Sequence, residues 1–328
     1  MRSTIRSLIT SQSAVSTAEK IIRATLLTPV YLALIALLRI YAWAAGPIVV
    51  SGKTSFGATL RCRLPDLIQT YIWLFAEWEP DLTNFIATRL TDGDTFIDIG
   101  SNIGYYSLLA ATCVGPNGRV IAVEASPYIA NEIRYNVTAN GAEGRIRVVN
   151  KAAASTAGTL TVYAGPAHNL GNTTTAAAGT RDLRAESTVE ACPIDQIVTP
   201  QEIASVRLIK IDVEGGEADV LAGMIGLIPA LRADAEIAVE LSPQWWSDPT
   251  LRPADVLHPF TDAGFNVYQM ANNYAAWRYL WPNAVTAATR VRDELTQRVA
   301  RLDLILSRQD ADFISIDGNR FTDSGRWI

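Results

Sequence analysis

The stretch DTFIDIGSNIGYYS at residues 94–107 sets the fold. An apolar run from Phe96 to Ile99 carries one acidic residue, Asp98, and ends in a turn containing Gly100 and Gly104. The run reads as a buried strand, and SLLAATC (107–113) reads as the helix after it. The two glycines allow a tight turn and let the backbone approach a ligand at the start of that helix. Twenty residues beyond Gly104, Glu124 closes a second apolar run, RVIAVE (119–124). A carboxylate there can accept both hydroxyls of a ribose, with the ligand at the carboxyl ends of the strands. This is not the dinucleotide fingerprint. GxGxxG needs a glycine at position 102, where Asn102 stands, so the close approach that a pyrophosphate requires is missing.

The same rhythm runs outward. IRVVN (146–150), VRLIKID (206–212) and EIAVEL (236–241) are further short runs rich in Val and Ile, and YIANEIRYNV (128–137) reads as a helix between the second and third strands. This βαβ alternation predicts a mostly parallel sheet covered on both faces. Between the third and fourth strands, GTLTVYAG and STVEACPID alternate polar and apolar, which predicts a small antiparallel excursion over 158–195. GFNVYQM (264–270) and DFISIDG (312–318) read as the last two strands. Val291, Leu295, Val299, Leu302 and Leu306 recur at helical spacing, predicting an amphipathic helix over about 284–308 within an insertion at 274–310.

Composition narrows the function. The 328 residues are 49% hydrophobic and 19% charged, with a net charge of -5. An acidic chain of this kind makes a nucleic-acid partner unexpected. Cys62, Cys113 and Cys192 are odd in number and form no CxxC pair, which argues against a disulfide framework. Two histidines, His168 and His258, exclude a multi-histidine metal centre. SGKT (51–54) imitates a phosphate loop, but GxxxxGK[ST] needs a glycine at position 47, which is Pro47.

Part of the apolar excess lies in the first 54 residues, which read as an N-terminal helical segment ahead of the domain expected over 55–328. Thr25 to Leu38 is almost uncharged and is followed by Arg39 and IYAWAAGPIVV, with Arg2, Arg6, Lys20 and Arg23 before it. Pro29 and Arg39 shorten the apolar stretch, which favours a helix lying on a membrane, or packed on the domain or a partner subunit, over a span. Peripheral membrane contact through 24–45 and a homo-oligomer are both expectations.

LIKIDVEGGEADVLAGM (208–224) carries a second constellation, because Lys210, Asp212 and Glu214 would share one face at the end of an apolar strand. Such charges are costly there unless paired or used. At this point the chain resembles the FkbM family of S-adenosylmethionine-dependent methyltransferases. IKIDVEGGEADVL, YIWLFAEWEPDLTNFI (71–86), the DxGxNxG turn, VEASPYIANEIRYNV (123–137), VVNKAAAS (148–155) and PIDQIV (193–198) carry the resemblance, which covers roughly 55–270. Ser101 and Ala125 depart from the alanine and proline common in the family.

The resemblance implies an α/β fold: a seven-stranded Rossmann-like methyltransferase sheet, mostly parallel with its last strand antiparallel. It implies S-adenosyl-L-methionine as cofactor, which carries no phosphate. Asp98, Gly100, Ser101, Asn102 and Gly104 would hold its methionine part and Glu124 its ribose. Ala125, Asn150 and Lys151 would lie near its adenine, with Asp212 close by. Methylation of a hydroxyl on a sugar, glycolipid or polyketide-like product is the implied reaction. The acceptor would be a small molecule or a glycosyl or lipid-linked compound. Candidates for the base that removes the hydroxyl proton are Asp212, Glu214 and His168, while His258 within VLHPF reads as packed structure. A divalent metal on Asp212, Glu214 or Glu240 would suit hard oxygen ligands, though nothing in the spacing demands one. Trp245, Trp246, Trp277, Tyr279 and Trp281 are either sugar-stacking faces or core. N- or C-methylation on the same frame, and a non-catalytic adaptor, are the alternatives. Because the cofactor is cytosolic, the expected location is the cytoplasm, at the cytoplasmic face of the membrane if the N-terminal helix binds lipid.

Overall fold

The computed structural model describes residues 17–165, 173–175, 183–272, 279, 287–297 and 299–316. Helix α1 (Thr17–Ala45) leads into strands β1 (Ile48–Lys53) and β2 (Thr59–Leu64), then α2 (Leu67–Phe75) and α3 (Pro80–Arg89). The α/β body begins with β3 (Thr95–Ile99), α4 (Tyr105–Cys113), β4 (Arg119–Val123), α5 (Pro127–Ala139) and β5 (Ile146–Val149). A side excursion, β6 (Ala152–Ala153), β7 (Gly158–Ala164) and β8 (Arg184–Cys192), precedes α6 (Pro200–Ser205) and β9 (Val206–Ile211). Then come α7 (Glu217–Met224), β10 (Glu236–Leu241), α8 (Pro253–Asp262), β11 (Asn266–Gln269), β12 (Ala288–Arg290), β13 (Leu302–Ser307) and β14 (Phe313–Ile314).

The main sheet runs β14-β12-β11-β13-β10-β9-β3-β4-β5. β5, β4, β3, β9 and β10 pair in parallel, and β13 is slotted antiparallel between β10 and β11. The seven strands from β5 to β11 are therefore the expected sheet with one reversed strand. β12 and β14 extend it by two short antiparallel strands at one edge. The strand order reverses between β3 and β9, which places the ligand-binding crevice at their carboxyl ends.

Period-two burial explains the layers. Phe96, Val120, Leu208, Ala238 and Ile305 enter one apolar core with α2, α3 and α4. Ile97, Ile121, Ile209, Ile237 and Leu306 enter the other with α7 and α8. A sheet buried on both faces needs near-continuous apolar strands, as these are. Helix starts are set locally. Ser126 Oγ accepts from the Ile129 amide ahead of α5, and Thr199 and Glu202 form a capping box on α6.

Three expectations meet particular geometry in the structure. The reversed strand is β13, inside the stretch read as the 284–308 helix, whereas among the described residues of the 312–318 run only Phe313–Ile314 is strand. The helical spacing of Leu302 and Leu306 is a coincidence of an alternating run: Leu302, Leu304 and Leu306 face one core and Ile305 the other. The slot between β10 and β11 demands apolar side chains on both faces, so it takes a strand. Second, β1 and β2 pair antiparallel on either side of residue 54, so the expected boundary between 1–54 and 55–328 falls within one hairpin. The hairpin also explains SGKT, whose first three residues lie in β1. Third, His258 is exposed on α8 with Nδ1 3.0 Å from Asp262, since its helix face looks to solvent.

α1 lies along the domain. Leu27, Tyr31 and Leu34 pack against the first core and Leu38 is buried, with the Tyr31 ring 6.4 Å from Tyr71 and 6.3 Å from Phe75. Leu26, Val30, Leu32, Leu37, Ile40 and Trp43 are exposed. By length and composition Thr25–Ala45 is apolar enough to cross a membrane.

Candidate active site

The turn after β3 is shaped by what surrounds it. Gly100 has φ +75°, and a Cβ there would lie 1.8 Å from the Asp212 carbonyl oxygen, so the position accepts only glycine. The Gly100 and Ser101 amides donate to the Val123 carbonyl at 2.9 and 3.2 Å, as does Ser101 Oγ at 3.2 Å, tying the turn to β4. Asn102 also has positive φ, and its amide donates to Glu124 Oε2 at 3.1 Å. The Ser126 amide donates to Glu124 Oε1 at 2.9 Å. Burial pushes the Glu124 carboxyl up to about 7, against the pull of these two amides. Gly104 caps α4 with φ +86°, and Ile133 would crowd a Cβ there at 3.3 Å.

A cavity of about 230 Å³ opens beside this turn at the carboxyl ends of β3, β4 and β9. Among the expected site residues, Gly100, Asn102, Glu124, Ala125, Lys151, Asp212 and Glu214 line it. Four others do not, and each supports those that do. Ser101 and Gly104 hold the turn, as above. Asn150 donates to the Glu124 and Ala125 carbonyls, both at 2.9 Å, and so fixes the backbone instead of facing the cavity. Asp98 is fully buried beneath the turn, its Oδ2 accepting from Ser107 Oγ at 2.6 Å. His168 lies outside the described residues, as do Trp277 and Trp281.

Lys210 is the centre of a buried charge group. Its Nζ lies 3.2 Å from Asp212 Oδ2 and 3.6 Å from Asp98 Oδ1, and donates to the Gly100 carbonyl at 3.2 Å. Burial works against its charge, but Asp212, Asp98 and Glu79 outweigh it and raise Lys210 above the usual lysine range. Burial raises Asp98, with Lys210 and Ser107 pulling the other way. The two shifts are consistent when the closer carboxylate, Asp212, is the main ionic partner. Glu214 adopts positive φ, and its carbonyl accepts from Thr174 Oγ1 at 2.5 Å, bringing the excursion over the cavity.

Other polar residues complete the rim, and of these Glu79, Arg301 and Asp303 have no role assigned from the sequence. Glu79 is buried with positive φ; it accepts from Tyr106 Oη and, at 2.9 Å, from Asn272 Nδ2. Its only sequence signal is its place in the aromatic Glu-Pro segment. Glu79, Glu240 and Asp303 offer oxygens within 4.8 Å of one another, a different set from the Asp212, Glu214 and Glu240 named as metal candidates. Burial, with Asp212, Asp303 and Glu79 nearby, raises Glu240 well above the carboxylate range. Arg301 lies 3.9 Å from Glu240 and 3.6 Å from Asp303. Trp246 is buried, its Nε1 donating to Glu217 Oε2 at 2.9 Å, so that tryptophan is core; Tyr279 is also core, 4.9 Å from both Tyr71 and Phe75.

The strand order, the reversed β13 and a carboxylate clamped against the glycine turn define a Rossmann-like methyltransferase fold. The sequence profile described as the methyltransferase FkbM domain matches residues 98–267, just over half the chain. The chain belongs to this family. It is 25% identical over 155 residues to the hexuronic acid methyltransferase AglP of Haloferax volcanii, covering 47% of this chain and 59% of that protein. It is 42% identical over 57 residues to the protein-L-isoaspartate O-methyltransferase of Aeropyrum pernix, covering 17% of this chain and 22% of that one. The chain thus spans under two thirds of the length of these relatives. Among solved structures, it resembles an S-adenosylmethionine-dependent O-methyltransferase of Thermotoga maritima at 17% identity and TM-score 0.37, covering 83% of this chain and 82% of that one. It also resembles precorrin-6y C5,15-methyltransferase of Geobacter metallireducens at 15% identity and TM-score 0.37, covering 69% and 86%.

Proposed function

We propose that this chain is an S-adenosylmethionine-dependent O-methyltransferase that methylates a hydroxyl of a sugar or glycolipid. The observation that carries the reading is Glu124, held by two amides at the cavity wall beside the Gly100–Asn102 turn. The donor set fits a nucleoside without phosphates. A paired-acceptor carboxylate suits a ribose, and the backbone of Gly100 leaves room beside it. The carboxylates on the rim also suit a sulfonium cation. When bound, S-adenosylmethionine supplies a methyl group activated by that sulfonium. Glu124 would hold the ribose, with Ala125 and Lys151 near the base and the Gly100–Asn102 turn near the amino-acid part.

The protein's remaining work is to orient an acceptor hydroxyl and take its proton. Orientation in a fixed site is worth up to about 7–11 kcal/mol, and a positioned base adds about 100- to 10,000-fold. Asp212 is our choice for the base. It lines the cavity from the end of β9, and Lys210 keeps it in place. Glu214 stands beside it. Methyl transfer is tested by incubating the protein with S-adenosylmethionine and glycolipid extracts, and following S-adenosylhomocysteine and the methylated product by mass spectrometry. Turnover that needs the extract supports the reading; its absence with every extract, despite bound cofactor, opposes it.

We further propose that α1 seats the enzyme on the cytoplasmic face of a membrane. Leu27 to Leu38 lies along the domain for about 17 Å, a contact that a perpendicular span would have to break. The opposite side is apolar over most of its circumference, from Leu26 round to Trp43, which is 89% exposed. A lipid surface accepts such a broad face, whereas a second protein copy would need a matching one.

A further inference from the structure

A second hollow, of about 580 Å³, opens on the same rim. It is built from the end of β10, the turn after it, the end of β11 and the approach to β13. Glu214, Glu240 and Arg301 line both this hollow and the cofactor cavity, so the two share a wall. In-line methyl transfer requires the acceptor to lie next to the cofactor, and this hollow borders the cavity that would hold it.

Its lining has a definite chemistry. Trp245 presents a half-buried indole, and Gln244, Gln269 and Asn272 add three carboxamides. Carboxamides both donate and accept, as sugar hydroxyls do, and an indole face stacks on the C–H face of a pyranose. Asn272 Nδ2 already donates to Glu79 and Asp303, so that residue offers its Oδ1 as an acceptor. Among the described residues the charged lining is Glu214, Glu240 and Asp303 against Arg301. Three carboxyl groups thus line the hollow against one guanidinium. Arg301 already lies near both Glu240 and Asp303. A uronate or sugar phosphate would therefore meet repulsion, and a neutral ring would not.

We propose that this hollow is the acceptor subsite and binds a neutral, hydroxyl-rich sugar ring, with Trp245 as the stacking face and Gln244, Gln269 and Asn272 as hydrogen-bonding partners. The proposal rests on the methyltransferase reading and narrows it: the methylated atom is a sugar hydroxyl, not a uronic acid carboxylate.

The test is saturation-transfer NMR on the full chain with S-adenosylhomocysteine present. The probes are the methyl glycosides of glucose, mannose, galactose and rhamnose, with sodium glucuronate alongside. At least one neutral glycoside should receive saturation, strongest at its ring C–H protons, and glucuronate should receive less. Trp245→Ala should weaken that binding about tenfold, Trp245→Phe should largely keep it, and Gln269→Ala should also weaken it, all with unchanged S-adenosylhomocysteine affinity. Preferred glucuronate binding, no glycoside binding by protein that binds S-adenosylhomocysteine, or indifference to both alanine variants would overturn the subsite. Failure to bind S-adenosylhomocysteine would instead overturn the methyltransferase reading beneath it.

Discussion

The Asn102 amide donates a 3.1 Å hydrogen bond to Glu124 Oε2, joining the turn after β3 to the acidic end of β4. The residue that breaks the dinucleotide pattern thus uses its own backbone to aim the carboxylate. Glu124→Gln should keep the size, remove the charge and turn a carboxamide NH2 towards one of the two amides. Hydrogen bonds to a charged acceptor are worth about 1.5–3 kcal/mol, so S-adenosylmethionine affinity should fall about 10- to 100-fold. Titration calorimetry of both proteins checks this.

Glu124 also predicts a pH dependence. Its carboxyl is raised from 4.5 to about 7 by burial. A raised acid favours the folded protein while protonated. Its contribution is complete below its unfolded value and is lost as pH rises through about 7. Relative to Glu124→Gln, the free wild type should therefore lose stability between about pH 5 and pH 8, by on the order of 3 kcal/mol. Ribose binding favours the ionised form, so cofactor affinity should rise over the same interval, with proton release below pH 7. Denaturation across pH, and calorimetry in buffers of different ionisation enthalpy, measure the two effects. A flat profile in both would remove Glu124 as the titrating group.

Gly100→Ala should be among the most damaging single changes in the chain. The left-handed backbone costs about 1–2 kcal/mol for a residue with a Cβ, and the clash with the Asp212 carbonyl adds to it. Gly144 is exposed, and a Cβ there would meet nothing within 4 Å. Gly144→Ala should change stability by no more than about 0.5 kcal/mol. Equal effects in urea denaturation would show that the turn is not so constrained.

Lys210→Met should destabilise by about 3–5 kcal/mol, because it removes the cation between two carboxylates, one of them fully buried. Asp98→Asn in the same background should recover part of the loss by removing the buried charge. Urea denaturation of the single and double variants forms the cycle, and strict additivity would deny the coupling.

For α1, Ile40→Glu with Trp43→Glu changes only exposed positions. Flotation with vesicles containing anionic lipid should capture the wild type and lose the double variant, with catalysis on a soluble acceptor intact. A wild type that ignores vesicles but sediments as a dimer abolished by the same changes would replace the membrane with a second copy.

Much of this was legible in the sequence because a doubly covered sheet leaves plain traces. β3, β4, β5, β9 and β10 are continuous Val- and Ile-rich runs, and the Gly100 turn and Glu124 sit at fixed places beside them. The far edge was not legible. LDLILS reads equally as a helix face or a strand until β10 and β11 provide a slot with two apolar walls. For Asp98 and Asn150, sequence order gives proximity to the turn, not whether a side chain points into the cavity or beneath it. Glu79 meets Asp303 only through tertiary structure, across more than 200 residues of chain. No local pattern announces them.

The central claim is that the cavity beside Gly100 and Glu124 binds S-adenosylmethionine. Titration calorimetry of the wild type with S-adenosylmethionine, alongside Glu124→Ala, tests it most directly. One site per chain, with affinity strongly reduced by the substitution, is the expected result. No heat of binding by folded wild type, or equal binding by the two proteins, would contradict it.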